Sequence, residues 1–167
     1  MIWITSDHHF NHEKIIEYCD RPFDNTSDMN EYMIAKWNSV VRPDDIVLHL
    51  GDFALQMNEE EVTALVSKLH GTIILIRGNH DRFGVEKFKR CGFADTVKKI
   101  EFKNFILTHR PIPVEDLNGK INIHGHVHNS DYSINHVNVS VEMWDYTPID
   151  FINLISKKRL NWRLFFI

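Results

Sequence analysis

The chain has 167 residues, 43% of them apolar and 25% charged, with a net charge of −4, which predicts one folded domain over residues 1–167 rather than a disordered chain. The acidic balance argues against a protein that coats long nucleic acid. Cys19 and Cys91 lack any framework spacing and read as reduced cytosolic thiols, and with no stretch long enough to span a membrane a cytoplasmic location is expected.

In chain order, Ile2 to Thr5 predicts a short strand ending in Ser6-Asp7-His8-His9. Phe10-Asn11 is expected to open a helix, with Asn11 as N-cap and Phe10 and Ile15 as a hydrophobic staple, stopped by Arg21-Pro22. A second helix is expected from about Asp28, with Met29, Met33, Trp37 and Val40 or Val41 on one stripe. Ile46 to Leu50 predicts a strand running into Gly51-Asp52. Asn58 to Leu69 has the strongest helical signal: Asn58 and Glu61 form a capping box, and Val62, Leu65, Val66 and Leu69 repeat with helical period before Gly71. Ile73 to Ile76 predicts a strand buried on both faces, broken by Gly78 ahead of Asn79-His80-Asp81.

A short helix around Val85 to Lys89 should end at Gly92. Val97 to Ile100 and Phe105 to Thr108 predict strands, with a hairpin turn at Lys103-Asn104 and His109 at the far end. Pro111, Pro113 and Gly119 mark a loop before a strand Ile121 to His124, which ends in Gly125-His126-Val127-His128. Val137, Val139 and Val141 alternate with polar residues as in a strand with one buried face. Beyond Pro148, Phe151 to Ile155 suggests a short helix, and Leu164 to Ile167 suggests an apolar end covering an edge of the core.

Eleven histidines are unusual for this length, and several stand at strand ends. Five strands end in Asp7-x-His9, Asp52, Asn79-His80, His109 and His126-x-His128. Ligands of α/β sheets bind where the carboxyl ends of strands converge, so these residues are expected to share one crevice. Imidazoles, carboxylates and an amide without thiolate suit Mn²⁺, Fe or Zn²⁺. Seven such ligands are too many for one tetrahedral ion and suit two ions sharing a carboxylate. Two divalent ions outweigh the charges of Asp7, Asp52 and a hydroxide, and the surplus positive charge favours a phosphate substrate.

The ordered set Asp7-x-His9, Gly51-Asp52, Gly78-Asn79-His80-Asp81, His109 and Gly125-His126-x-His128 resembles the calcineurin-like metallophosphoesterase superfamily. Ser6 to His12 with Arg21-Pro22-Phe23 further resembles a small, cap-less bacterial and phage branch of phosphoesterases. The resemblance implies an α/β fold, a four-layer αββα sandwich of two mixed β-sheets flanked by helices. It also implies Asp7, His9, Asp52 and His128 on a first metal, and Asp52, Asn79, His109 and His126 on a second, with Asp52 bridging. His80 would protonate the leaving oxygen, oriented by Asp81. Many relatives carry an acidic residue or histidine soon after the Gly-Asp, whereas this chain has Phe53-Ala54-Leu55-Gln56.

The expected cofactor is two divalent metal ions, Mn²⁺ first, with Fe, Zn²⁺ or Ni²⁺ as alternatives. His12, Arg21, Arg77 and Arg110 are the candidates for substrate contact, against surface ion pairs for each arginine. His49 and His124 are expected in the core or behind the ligands, His70 at a helix end and His136 at the surface. The expected activity is hydrolysis of a small phosphodiester, with a phosphomonoesterase or nucleotide diphosphatase as runner-up. A nuclease or a non-catalytic scaffold ranks below these. The expected partner is a small phosphate ester, without long nucleic acid or membrane.

Overall fold

The structure, a computed structural model, describes residues 1–130 and 133–163. Strands β1 (Ile2–Thr5), β2 (Ile46–His49), β3 (Thr72–Ile76) and β4 (Asp95–Val97) run parallel. Helices α1 (Glu13–Tyr18), α2 (Thr26–Val40), α3 (Glu59–Val66) and α4 (Val85–Arg90) lie between them in the chain. A second sheet holds β5 (Ile100–Phe102), β6 (Phe105–Leu107), β7 (Ile121–His124) and β8 (His136–Asn138) in that order, with β5 antiparallel to β6 and the rest parallel. The chain then returns to the first sheet as β9 (Ile149–Asp150), antiparallel beside β1, and continues into α5 (Phe151–Arg163). The fold is therefore mixed α/β with two mixed sheets and helices, as the resemblance implied. Among the described residues no helix is long and apolar enough to cross a membrane.

Alternation along the strands divides the core in two. Val47, Ile73 and Leu75 pack with Met29, Met33 and Trp37 of α2 and Val62, Leu65 and Val66 of α3. Ile4, Leu50 and Ile76 point the other way, against Phe105, Leu107, Ile121, Ile123 and Val137 of the second sheet, and α5 adds Phe151, Leu154 and Ile155 to this cluster. The outer face of the second sheet is polar, with buried Asn122, His124 and His136. The loop after His109 covers it: the Ile112 N–H donates to Asn122 Oδ1 at 2.8 Å, and its carbonyl lies 2.8 Å from His136 Nε2. His136, expected at the surface, is buried there.

Local chemistry set several elements as expected. The capping box of α3 is complete, with Glu61 N–H on Asn58 Oδ1 at 3.0 Å and Asn58 N–H on Glu61 Oε2 at 2.7 Å. Lys103 takes φ 53° in the hairpin between β5 and β6. Other boundaries moved for identifiable reasons. Asn11 caps nothing: its own φ is 63°, its N–H donates to Asn30 Oδ1 at 3.1 Å, and α1 starts after His12. Phe10 is instead bound to the second loop, its N–H on Phe53 O and its carbonyl accepting from Leu55 N–H, both at 2.9 Å. Asn25 caps α2 by accepting from Asp28 N–H, so that helix begins ahead of Asp28. α3 ends at Val66, and the Lys68 and Leu69 N–H groups bond carbonyls three residues back in a tightened turn.

The predicted strand Val97–Ile100 is in fact a crossing: Val97 closes β4 in the first sheet and Ile100 opens β5 in the second. The alternation through Val141 is likewise interrupted, because β8 ends at Asn138 and Val141–Trp144 is a 3-10 turn. Between them Ser140 bridges Ser6, with Ser6 N–H on Val139 O at 3.0 Å and Val141 N–H on Ser6 O at 3.1 Å, and this ties the two sheets together at one end. The helix predicted over Phe151–Ile155 runs on to Arg163, while Leu164–Ile167 lie outside the described residues.

Candidate active site

The ends of β1, β2, β3, β6 and β7 deliver the histidines and carboxylates to the place where Ser6 and Ser140 join the sheets. The turns are unusually tight. Asp7 (φ 60°), His9 (φ 50°), Asp52 (φ 53°), His126 (φ 72°) and His128 (φ 50°) all lie in the left-handed region. Asp and His tolerate that region better than most side chains, yet each position still stores strain, and such strain gathers at functional sites. Two glycines make room. A Cβ on Gly78 would overlap Asp52 Oδ1, and one on Gly125 would overlap Asp7 Oδ2.

The resulting geometry gathers all seven predicted ligand residues. The ligand atoms of Asp7, His9 and His128 lie within 4.8 Å of one another, as do those of Asp52, His109 and His126. Asp52 Oδ2 stands between the groups, 3.5 Å from His9 Nε2 and 3.3 Å from His109 Nε2. Asn79 Oδ1 lies 3.0 Å from His109 Nε2. Most of these side chains are anchored by one atom and present another. Asp7 Oδ2 accepts from His126 N–H at 2.9 Å and Ser140 Oγ at 3.0 Å, leaving Oδ1. His109 Nδ1 sits 2.9 Å from the Leu50 carbonyl, and His128 Nδ1 2.9 Å from Glu142 Oε1, leaving Nε2 of each ring. Asp7 Oδ1 and His9 Nε2 are buried without a hydrogen-bond partner among the described residues. Two such orphans in one space are costly unless a cation satisfies both, so this donor set fits divalent metal.

Electrostatics agree. Burial lowers His9 to about 2, so its ring is neutral and able to ligate. Burial pushes Asp7 up. Burial pushes Asp52 the same way, but the hydrogen bond and charge of His109 overcome it and hold the carboxylate below its usual range. Burial disfavours a charged His128, yet Cys19, Glu142 and Asp7 together carry it up to about 10. The anionic surroundings of His128 thus favour positive charge at this position.

His80 is half-buried. Its N–H donates to Asp52 Oδ1 at 2.8 Å, and its Nε2 lies 4.0 Å from Asp52 Oδ2. His12 stacks at the same rim, its Nδ1 3.2 Å from His9 Nδ1 and its ring 6.1 Å from that of His80. The expectation that Asp81 orients His80 needs correction. Asp81 Oδ2 accepts from Asp52 N–H at 2.8 Å and Gly78 N–H at 2.7 Å, and Oδ1 from Phe53 N–H at 3.0 Å. Its carboxylate holds the Asp52 and Gly78 turns together instead of the imidazole.

Arg21 is also not a rim residue. It is buried, with Nη1 on the His8 carbonyl and Nη2 on the Asp7 carbonyl, both at 2.7 Å, and it pairs with Glu142 at 2.7 Å. Glu142, held down to about 2, therefore links Arg21 to His128. Removing one member of a buried ion pair costs about 3–5 kcal/mol. Arg21→Ala should accordingly lose that much unfolding free energy, read as a lower midpoint in urea, and a variant of native stability with only a raised KM would return Arg21 to substrate binding. Arg77 is half-buried and donates to the Asp81 carbonyl at 3.3 Å. Arg110 is exposed, and its charge contributes to lowering His126 behind the effect of burial. His8 and His49 pair in the core at 2.9 Å, with His49 Nδ1 accepting from Gly51 N–H. Glu142 and Ser140 were not singled out from sequence. They sit in a stretch whose alternation advertises a strand, with no motif to distinguish them.

The model of the family described as calcineurin-like phosphoesterase matches residues 1–163. An uncharacterized protein of Methanocaldococcus jannaschii is 42% identical over 173 aligned residues, covering 95% of this chain and 93% of that protein. The Gene 66 protein of Mycobacterium phage L5 is 35% identical over 81 residues, 47% of this chain and 39% of its own length. A protein of unknown function from Aquifex aeolicus superposes with TM-score 0.74 at 29% identity, covering 93% of this chain and 98% of that one. The nuclease MPE of Pseudomonas putida superposes with TM-score 0.52 at 21% identity over 76% of this chain and 61% of its own, a likeness of fold. The motif order, the paired ligand groups and the family match agree: the chain belongs to the calcineurin-like phosphoesterase family, whose chemistry is metal-dependent hydrolysis of phosphoric esters.

Proposed function

We propose that this chain hydrolyses a small phosphodiester with two divalent cations, Mn²⁺ foremost. The observation that carries this reading is the place of Asp52 Oδ2 between the two ligand groups. Asp7, His9, Asp52 and His128 would hold one cation, and Asp52, Asn79, His109 and His126 the other. When bound, the cations supply Lewis acidity toward phosphate oxygens and acidify water. His80, on the open side of Asp52, is placed to give a proton to the departing oxygen. Behind them Asp81, Ser140 and Glu142 keep the carboxylates and His128 in register.

The cavity above these residues measures about 430 Å³ and is lined by His9, His12, Asp52, His80, His126 and His128, with Lys14 at its edge. That is room for a small ester, and one lysine is far from the row of cations that long nucleic acid needs. A proton donor matters most when the leaving group is poor, and a monoester's loose transition state draws less on the attacking water. Chelation should abolish turnover and Mn²⁺ should restore it. The Mn²⁺-loaded enzyme should show higher kcat/KM on bis-(p-nitrophenyl) phosphate than on p-nitrophenyl phosphate, with little response to moderate salt. A preference for the monoester, or activity confined to long RNA or DNA and collapsing with salt, would overturn the proposal.

A further inference from the structure

His80 belongs to two cavities. It lines the cleft of the candidate site and also a separate cavity of about 390 Å³. The second cavity is apolar, walled by Leu55, Met57, Val62, Phe83 and Phe88, with exposed Arg82 at its lip. Its aromatic wall is packed from behind, Phe83 on Phe88 at 5.4 Å between ring centroids and Phe88 on Phe93 at 5.2 Å. One wall is the segment Phe53-Ala54-Leu55-Gln56, apolar except for Gln56. Leu55 is fixed there by its N–H bond to the Phe10 carbonyl at 2.9 Å, part of the bridge between the first two loops. The pocket is therefore preformed, and its volume falls within the range of small-molecule sites.

We infer that this pocket receives the leaving group of the diester, and that the leaving group carries an aromatic ring. The inference rests on the proposed hydrolase reading for one step: the oxygen that His80 protonates must lie at His80, so whatever that oxygen carries extends past it. The cavity that adjoins the cleft at His80 is the apolar pocket, whereas the retained phosphate and its other ester stay over the carboxylates and histidines. Phe83 and Phe88 line the pocket with aromatic rings, Lys87 Nζ covering Phe83 at 3.8 Å from its centroid, and Met57 adds a polarizable sulfur; these favour a flat aromatic group over an aliphatic chain.

A mixed diester tests this within a single molecule. Methyl 2-naphthylmethyl phosphate has two alkoxide leaving groups of similar basicity, one with a ring and one without. The Mn²⁺ enzyme should release 2-naphthylmethanol in at least about tenfold excess over methanol, the order expected for filling an apolar pocket. Phe83→Ala, and independently Leu55→Ser, should bring that ratio toward unity. Equal release by the native enzyme, or a bias untouched by both variants, would overturn the pocket assignment while leaving the hydrolase reading intact. If neither alcohol is released, the diesterase reading fails instead. Binding then decides the pocket: 2-naphthylmethanol should saturate the metal-free protein and perturb the Met57 methyl resonance, and both variants should weaken this. Absence of saturable binding at Met57 would refute the pocket on its own.

Discussion

Asp52→Asn is expected to bind fewer cations than the native chain and to lose roughly 10³-fold or more in kcat/KM. Charge stabilisation by bound metal is worth several kcal/mol, and about 1.4 kcal/mol is a decade of rate. The substitution is nearly isosteric, so Oδ1 can still accept the His80 N–H now 2.8 Å away. What changes is the atom between the two ligand groups, where an amide N–H₂ would face His9 Nε2 and His109 Nε2 at the present 3.5 and 3.3 Å. It removes the charge that both cations would share. Metal stoichiometry measured after gel filtration, alongside rates, checks this. A variant that retained two tightly held ions and full activity would sink the assignment of Asp52 as the bridge.

His80→Ala should separate proton delivery from metal binding. The His80 ring lies outside both ligand groups, so both ions should remain. The rate should fall by about 10²- to 10⁴-fold, the usual contribution of a general acid. The loss should be larger for an alkyl ester than for a nitrophenyl ester, because nitrophenolate departs readily without a proton. Equal losses on the two substrates, or loss of metal, would assign His80 a different task.

The strand-end motifs were legible because each is local: a short apolar run, a turn and a ligand within a few residues. The capping box of α3 was legible for the same reason. Failures fall where a partner distant in sequence decides. Arg21 has the look of a phosphate-binding arginine until Glu142, 121 positions away, is seen to hold it. Asp81 follows His80 directly, yet backbone N–H groups of the Asp52 turn claim its carboxylate. Val97 to Ile100 reads as one strand because both ends are apolar, and composition cannot say that they belong to different sheets. Asn11 has the right chemistry for a cap, but pairing of Phe10 with the loop after Asp52 fixes its backbone elsewhere.

The placement of β9 beside β1 bears on how such a chain is made. During synthesis β1 is followed by β2, β3 and β4, and its side away from β2 acquires a neighbour only when residues 149–150 emerge. Until then β1 presents unpaired backbone groups, a hazard for self-association. The candidate ligands arrive on the same schedule, Asp7 to Asn79 early and His109 to His128 late, with Ser140 and Glu142 behind them. Glu142, the last of these residues, precedes Ile149 by seven positions, so the candidate site and the second neighbour of β1 are completed close together in synthesis. A nascent chain that has assembled the candidate site is thus already close to one in which β1 is paired on both sides.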